Sequence, residues 1–200
     1  MFRDFETYLT SRAAFSEDDF DLIRSLSTEK KVRRKQFLLA EGEICRYKIF
    51  VCKGLLRNYR VREDGTEHIV RFVAENEWTT EPESYNSQTP TEYNIEALED
   101  TEVIVWTHET LSKIVAAVPA FRSFLVQLQA QSLGAIQNHI FKQVSYTAEE
   151  KYLDFINSYP NVFGRVPLEM VASYLGLSRK TLTRVRHAQL NPLSQSSKPN

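Results

Sequence analysis

From residue 2 to residue 25 the apolar positions recur at helical spacing, and Ser16 followed by Glu17, Asp18 and Asp19 is a helix-start signal, so a helical lid is expected there. Between residues 32 and 107 the pattern changes to short β-branched and aromatic runs, at 36–40, 47–52, 55–62, 67–73, 94–98 and 102–107. Glu41-Gly42, Lys53-Gly54 and Asp64-Gly65 punctuate these runs as turns. Turns at this regular spacing predict an antiparallel sandwich or barrel. Asp64-Gly65 is the clearest hairpin, and a tight primed turn there would put both residues at positive φ. Residues 78–92, polar and carrying Pro82 and Pro90, read as a long loop, where sites are commonly carried.

After Glu109 the pattern is helical to the end. Pro119 opens the longest helix, running to about Lys142, because proline fits a first turn and little within that span would stop propagation. Along this helix Phe121, Leu125, Leu128, Ser132, Ala135 and His139 recur at spacings of four and three, which predicts the seam of a two-stranded coiled coil and hence a homodimer. One broad core face without a dimer is the alternative. A second ridge of Val126, Leu133, Ile136 and Ile140 is expected to pack on the β domain. His139 is either half of a pH-sensitive pair across a two-fold axis or simply half exposed. Thr147 to Glu150 has the form of a capping box and starts a further helix, which places a domain boundary near Ser145.

Residues 166–186, VPLEMVASYLGLSRKTLTRVR, read as two short helices joined by a tight turn. Pro167 suits the first turn of the first helix, and Met170, Val171, Tyr174 and Leu175 give it an apolar face. Ala172 is small where crossing helices approach, Gly176 supplies the turn, and Ser178 is a good N-cap for the second helix. At about 100° per residue, Leu182 and Val185 face inward while Lys180, Arg184 and His187 point away, flanked by Arg179 and Thr183. Such a face can enter a major groove and donate to guanine or to phosphates. A solvated basic helix on a small helical domain is the bland alternative.

The formal net charge of −1 hides an asymmetry: residues 165–190 carry five basic residues against one acid, so this segment is +4 and the remainder −5. That suits docking of one end on phosphates. No apolar run approaches the roughly 20 residues that span a bilayer and the first ten residues lack a signal-peptide pattern, so a cytoplasmic chain without membrane contact is expected. Cys45 and Cys52 are the only cysteines, too few for a disulfide framework or a four-cysteine metal site, and read as buried reduced thiols.

At these residues the chain resembles the Crp/Fnr family of transcriptional regulators, over nearly its whole length. LLAEGEICRYKIFVCKGLLRNY, from Leu38 to Tyr59, is similar to the family's paired strands, and LGLSRKTLTR, from Leu175 to Arg184, to its recognition-helix motif. The resemblance implies an α+β fold. Its parts would be a cyclic-nucleotide-binding-like antiparallel jelly-roll over 1–118, a dimerisation helix over 119–145 and a helix-turn-helix domain over 146–190. Residues 191–200 are expected to be a disordered tail. The implied partners are double-stranded DNA, a second copy of the chain, RNA polymerase and an unidentified small-molecule effector; no enzyme activity, cofactor or metal is implied. Ser178 would hold phosphate, and Arg179, Lys180 and Arg184 would take the base-reading positions, with Thr183 and Arg186 beside them. Lys180 departs from the family, where an acid is common, so a different operator is expected. The residues after Arg186 are too short and polar for a wing hairpin.

The effector pocket departs further. Family members that bind cyclic nucleotides use glycine-rich amides, a glutamate and an arginine followed by Ser or Thr. Here Thr80, Glu81 and Pro82 occupy the first stretch, Tyr93 and Asn94 the second, and Ile136 stands where a polar residue would face the base. Proline has no N–H to donate and tyrosine cannot pair with a phosphate as arginine does. Tight cAMP binding is therefore not expected. The iron-sulfur cysteines are missing, and His68, His108, His139 and His187 are scattered, so neither a cluster nor a haem is indicated. Two other classes stay open: a cupin-type metalloenzyme, disfavoured because only His68 lies before Thr107, and a small-molecule-binding module with a vestigial DNA-binding unit.

Overall fold

A computed structural model of the chain describes residues 1–190. It forms two compact units that divide between Leu133 and Gly134. In chain order the elements are α1 (Phe2–Thr10), α2 (Glu17–Ser25), β1 (Thr28–Val32), β2 (Phe37–Leu39), β3 (Tyr47–Lys53), β4 (Leu56–Val61), β5 (Glu67–Val73), β6 (Trp78–Thr79), α3 (Pro82–Ser87), β7 (Asn94–Ala97), β8 (Thr101–Thr107), α4 (His108–Ala117), α5 (Pro119–Ser145), α6 (Ala148–Ser158), α7 (Leu168–Leu175) and α8 (Arg179–Leu190). No single helix among the described residues is long and apolar enough to cross a membrane.

The first unit is a roll of two four-stranded antiparallel sheets, ordered β1-β8-β3-β6 and β2-β7-β4-β5. Between them Leu39, Val51, Leu56, Ile95, Val103 and Val105 form an apolar core, while Ile104 and Trp106 on the other face of β8 enter a separate cluster, so β8 is buried on both faces. A second cluster, rich in aromatic rings, joins α1, α4 and the start of α5 to Phe50, Trp78 and Trp106. Trp78 and Trp106 stack at 5.1 Å, and the Trp78 indole N–H donates to the Tyr8 hydroxyl at 3.2 Å. The predicted lid is thus two helices, the second opened by a capping box in which Ser16 accepts from Asp19 and Asp19 accepts from Ser16.

Three elements escape the hydrophobic pattern. β1 is an edge strand whose Thr28, Glu29 and Lys31 are exposed and whose Lys30 lies over the Tyr47 ring, a polar composition that protects the open edge but hides the strand. β6 is only two residues long, and α3 is a short helix inside the segment read as loop. The hairpin after β4 also differs from expectation. Gly65 has φ +80 but Asp64 is not at positive φ, the Gly65 N–H donates to Arg62 O at 2.9 Å, and the Arg62 N–H donates to Thr66 O at 3.0 Å. This is a three-residue loop with glycine in the left-handed position, and the Asp64 carboxylate stabilises it by accepting from the Thr66 N–H at 2.9 Å.

The expected seam on α5 is corrected by burial. Phe121 and Leu125 are 0% and 9% exposed within the protomer's own aromatic cluster, and Leu128 is partly buried against it, so the first part of the expected seam is engaged inside the roll. Ser132 and Ala135 are exposed, and His139 is half-buried in the second unit. The second ridge does the reverse of what was expected: Val126, Leu133, Ile136 and Ile140 are 57 to 60% exposed instead of being packed on the β domain. A helix with apolar residues on two sides can satisfy only one side within the roll, and the aromatic cluster took the Phe121 side.

In the second unit Thr147 and Glu150 form the predicted capping box at the start of α6. The Lys142 ammonium and the Asp154 carboxylate, 2.6 Å apart, tie the end of α5 to α6. Tyr152, Phe155, Val171, Leu175 and Leu182 are buried and form the interior of the three-helix unit of α6, α7 and α8.

Candidate nucleic-acid interface

α7 and α8 form the two arms of a helix-turn-helix. Pro167 lies one residue earlier than expected, as the N-cap of α7, where its φ of −60 and extended ψ lead into the helix. Val171, Ala172, Tyr174 and Leu175 are buried, and Ala172, at 3% exposure, lets the helices cross closely. Gly176 ends α7 at φ +65, and the Leu177 N–H donates back to Ala172 O at 2.9 Å, a glycine-terminated helix end. The Ser178 Oγ accepts from the Thr181 N–H at 3.0 Å and so caps α8, the role its position predicts.

On α8, Leu182 and Val185 are buried at 0% and 8% exposure, which holds the helix by one face. Arg179, Lys180, Arg184, Arg186 and His187 are exposed, Ser178 is exposed at the N-terminus and Thr183 is half-buried beside the stripe. No acid lies in the first turn of α8, and none of these basic side chains pairs with a carboxylate among the described residues. A capped helix N-terminus with unpaired guanidinium and ammonium groups along its outer face is a surface that attracts anions.

The residues expected to form an effector pocket are occupied with the chain itself. The Glu81 carboxylate is the N-cap of α3, accepting from the backbone N–H groups of Glu83 at 3.2 Å and Ser84 at 2.7 Å. The Asn94 side-chain oxygen accepts from the Glu41 N–H at 3.0 Å. Tyr93 is half-buried with the Arg60 guanidinium 5.9 Å from its ring centre, and Arg60 pairs with Glu92. Ile136 is exposed on the second unit's part of α5. The Asn58 side-chain amide donates to Thr79 Oγ1 at 2.8 Å across the two sheets, while its oxygen and the Tyr85 hydroxyl are buried without a hydrogen-bond partner among the described residues. Cys45 is buried, and burial pushes the Cys52 thiol up to about 12, so that thiol stays protonated and unreactive at neutral pH.

The Cyclic nucleotide-binding domain family matches residues 29–117. Over 197 residues the chain is 24% identical to the Fumarate and nitrate reduction regulatory protein of Yersinia pestis, covering 92% of this chain and 78% of that one. FixK2 from Bradyrhizobium japonicum shares the fold at a TM-score of 0.70 and 21% identity, over 86% of this chain and 89% of that one. The catabolite activator protein of Thermus thermophilus superposes with a TM-score of 0.56 at 18% identity, over 93% and 89%. The chain is thus similar in sequence to a cyclic nucleotide-binding domain over residues 29–117 and shares its fold with solved regulators of the Crp/Fnr type.

The position of α8 also separates two residues of its basic set. At about 100° per residue, Lys180, Arg184 and His187 share one outward stripe, whereas Arg186 falls close to the inward flank. Burial pushes the Tyr152 phenol on α6 up, and the Arg186 charge partly offsets this.

Proposed function

We propose that this chain is a homodimeric transcriptional regulator that reads a palindromic DNA operator in the cytoplasm through the outward stripe of α8. The observation that carries this reading is the exposed set of Lys180, Arg184 and His187, flanked by Arg179, on a helix capped by Ser178 and held from behind by Leu182 and Val185. Lys180 and Arg184 have the reach to donate to guanine O6 and N7, and Ser178 sits where a phosphate would approach the helix terminus. The exposed ridge of Val126, Leu133, Ile136 and Ile140 supplies the dimer seam, since apolar side chains at this spacing on one helix are buried by a second copy laid alongside. Two reading helices would then meet half-sites about one turn apart, roughly 34 to 36 Å.

The regulator is not switched by cAMP in this reading, because the amides at the start of α3 are already bonded to Glu81. A mobility shift with DNA from upstream of the protein's own gene tests the function. Retarded DNA whose affinity falls steeply with salt is expected, because phosphate contacts release counterions. A flat salt response or no shift would favour a small-molecule module with an idle helix-turn-helix.

A further inference from the structure

His139 and Gln143, one turn apart on α5, both reach the first arm of the helix-turn-helix. The Tyr174 hydroxyl donates to the Tyr159 hydroxyl at 3.0 Å, which uses its only proton. In the clamp proposed below the imidazole is the donor in the 3.2 Å contact between the Tyr174 oxygen and His139 Nδ1. With the proton on Nδ1, a neutral ring keeps Nε2 as an acceptor, and the Gln143 side-chain N–H stands 3.4 Å from it. The same amide donates its other hydrogen to the Tyr174 backbone oxygen at 3.0 Å. The His139 and Tyr174 rings also lie against each other, 4.9 Å apart. The Gln143 Oε1 lies 3.5 Å from where a Cβ on Gly176 would stand, so this side chain abuts the turn itself.

We propose that His139 and Gln143 are positioning residues for DNA reading, clamping α7 to α5 only while the imidazole is neutral, so that acidification loosens the reader. The proposal rests on the DNA-reading function above. Adding a proton to Nε2 would set an N–H against the Gln143 N–H and replace an attraction by a repulsion. Among the described residues the charged groups around the ring offer no relief. Lys142 on α5 and Lys151 on α6 are cations, and the nearby carboxylate of Asp154 is held by Lys142 at 2.6 Å; the other ring neighbours are the phenols of Tyr174 and Tyr159. His139 accordingly titrates below its ordinary 6.5, first because of burial, then through Lys142, with Lys151 adding and Asp154 opposing. The sign follows: with the folded-state value depressed, the contribution is complete above about pH 6.5 and is lost as pH falls through the lower folded-state value.

The test compares the full chain with His139→Gln and Gln143→Leu. A glutamine at 139 can donate to Tyr174 and accept from Gln143 without titrating, and leucine at 143 removes the donor that opposes a second proton. Operator affinity is measured between pH 7.5 and 5.5, together with histidine nitrogen NMR and amide exchange of α7 in the absence of DNA. The difference between profiles isolates His139, because His187 is common to all three proteins. The wild type is expected to lose about tenfold more affinity than His139→Gln over this range. Gln143→Leu should bind about fivefold more weakly at pH 7.5 and show a shallower acid response. NMR should find the Nδ1–H tautomer, and α7 amides should exchange faster on acidification in the wild type only. Parallel pH profiles, or an Nε2–H tautomer, would overturn the clamp. If His139→Gln does not fold, the Gln143→Leu profile and the wild-type tautomer decide. Absence of DNA binding at every pH, with the exchange result as expected, would uphold the clamp and overturn the DNA-reading function instead.

Discussion

The Glu81 carboxylate accepts the Ser84 backbone N–H at 2.7 Å and the Glu83 N–H at 3.2 Å, so an acid of the chain itself occupies the amides that begin α3. A phosphate arriving there would have to displace a carboxylate that is 9% exposed and meet its negative charge. Calorimetric titration with cAMP is expected to give no micromolar binding, and a micromolar constant would contradict this account. Glu81→Ala should lower stability by about 1 kcal/mol through loss of the cap, read as a drop in the denaturation midpoint.

The two ridges of α5 should respond differently to substitution. Leu133→Glu or Ile140→Glu puts a charge on the exposed ridge, leaves the core intact and is expected to give monomers in sedimentation with little change in protomer stability. Phe121→Ala opens a cavity in the aromatic cluster and should cost about 3 to 5 kcal/mol in chemical denaturation. Monomers from a conservative change at Phe121 and dimers from Leu133→Glu would reverse the assignment.

These ridges also mark the limit of what the sequence reveals. The helix-turn-helix was legible because its signals are local: Gly176 ends one helix, Ser178 caps the next, and Leu182 and Val185 set the buried phase. The start of α5 at Pro119 was legible for the same reason, while its end at Ser145 lies three residues beyond the Lys142 read from the pattern. Which side of α5 the roll would take was not, since Phe121 and Val126 are both apolar and only the tertiary position of Trp78 and Trp106 decides between them. β1 was hidden because an edge strand needs little apolar content, and the Glu81 cap because a glutamate before a proline reads equally as a binding residue.

Arg57 on β4 donates through Nε and Nη2 to the Glu96 carboxylate on β7, at 2.9 and 2.6 Å, and also pairs with Glu67 on β5. The guanidinium lies 4.0 Å from the centre of the Tyr59 ring, and the Arg57 and Glu96 side chains are only 8% and 11% exposed. Arg57→Met removes the cation and leaves Glu96 buried beside an apolar chain, with an expected loss of about 3 to 5 kcal/mol. The double change Arg57→Met with Glu96→Gln should recover part of that loss, because the uncompensated charge is gone. A double variant as unstable as the single one would mean that packing, not charge, sets the cost.

On α8 the distinction between Arg184 and Arg186 gives the most direct test of how DNA is read. Arg184 lies on the outward stripe with Lys180 and His187, while Arg186, also exposed, falls off that stripe by the helical period. A side chain that donates to a base edge carries sequence information, whereas one at the flank can reach only phosphate. Arg184→Ala is therefore expected to weaken operator binding by about 1 to 3 kcal/mol and to relax preference at one position of each half-site. Arg186→Ala should weaken all sequences alike and lower the salt slope by about one. Binding-site selection from a randomised library, run with both variants across a salt series, separates the two. Relaxed preference for Arg186→Ala with unchanged preference for Arg184→Ala would mean that α8 is rotated about its axis relative to the groove.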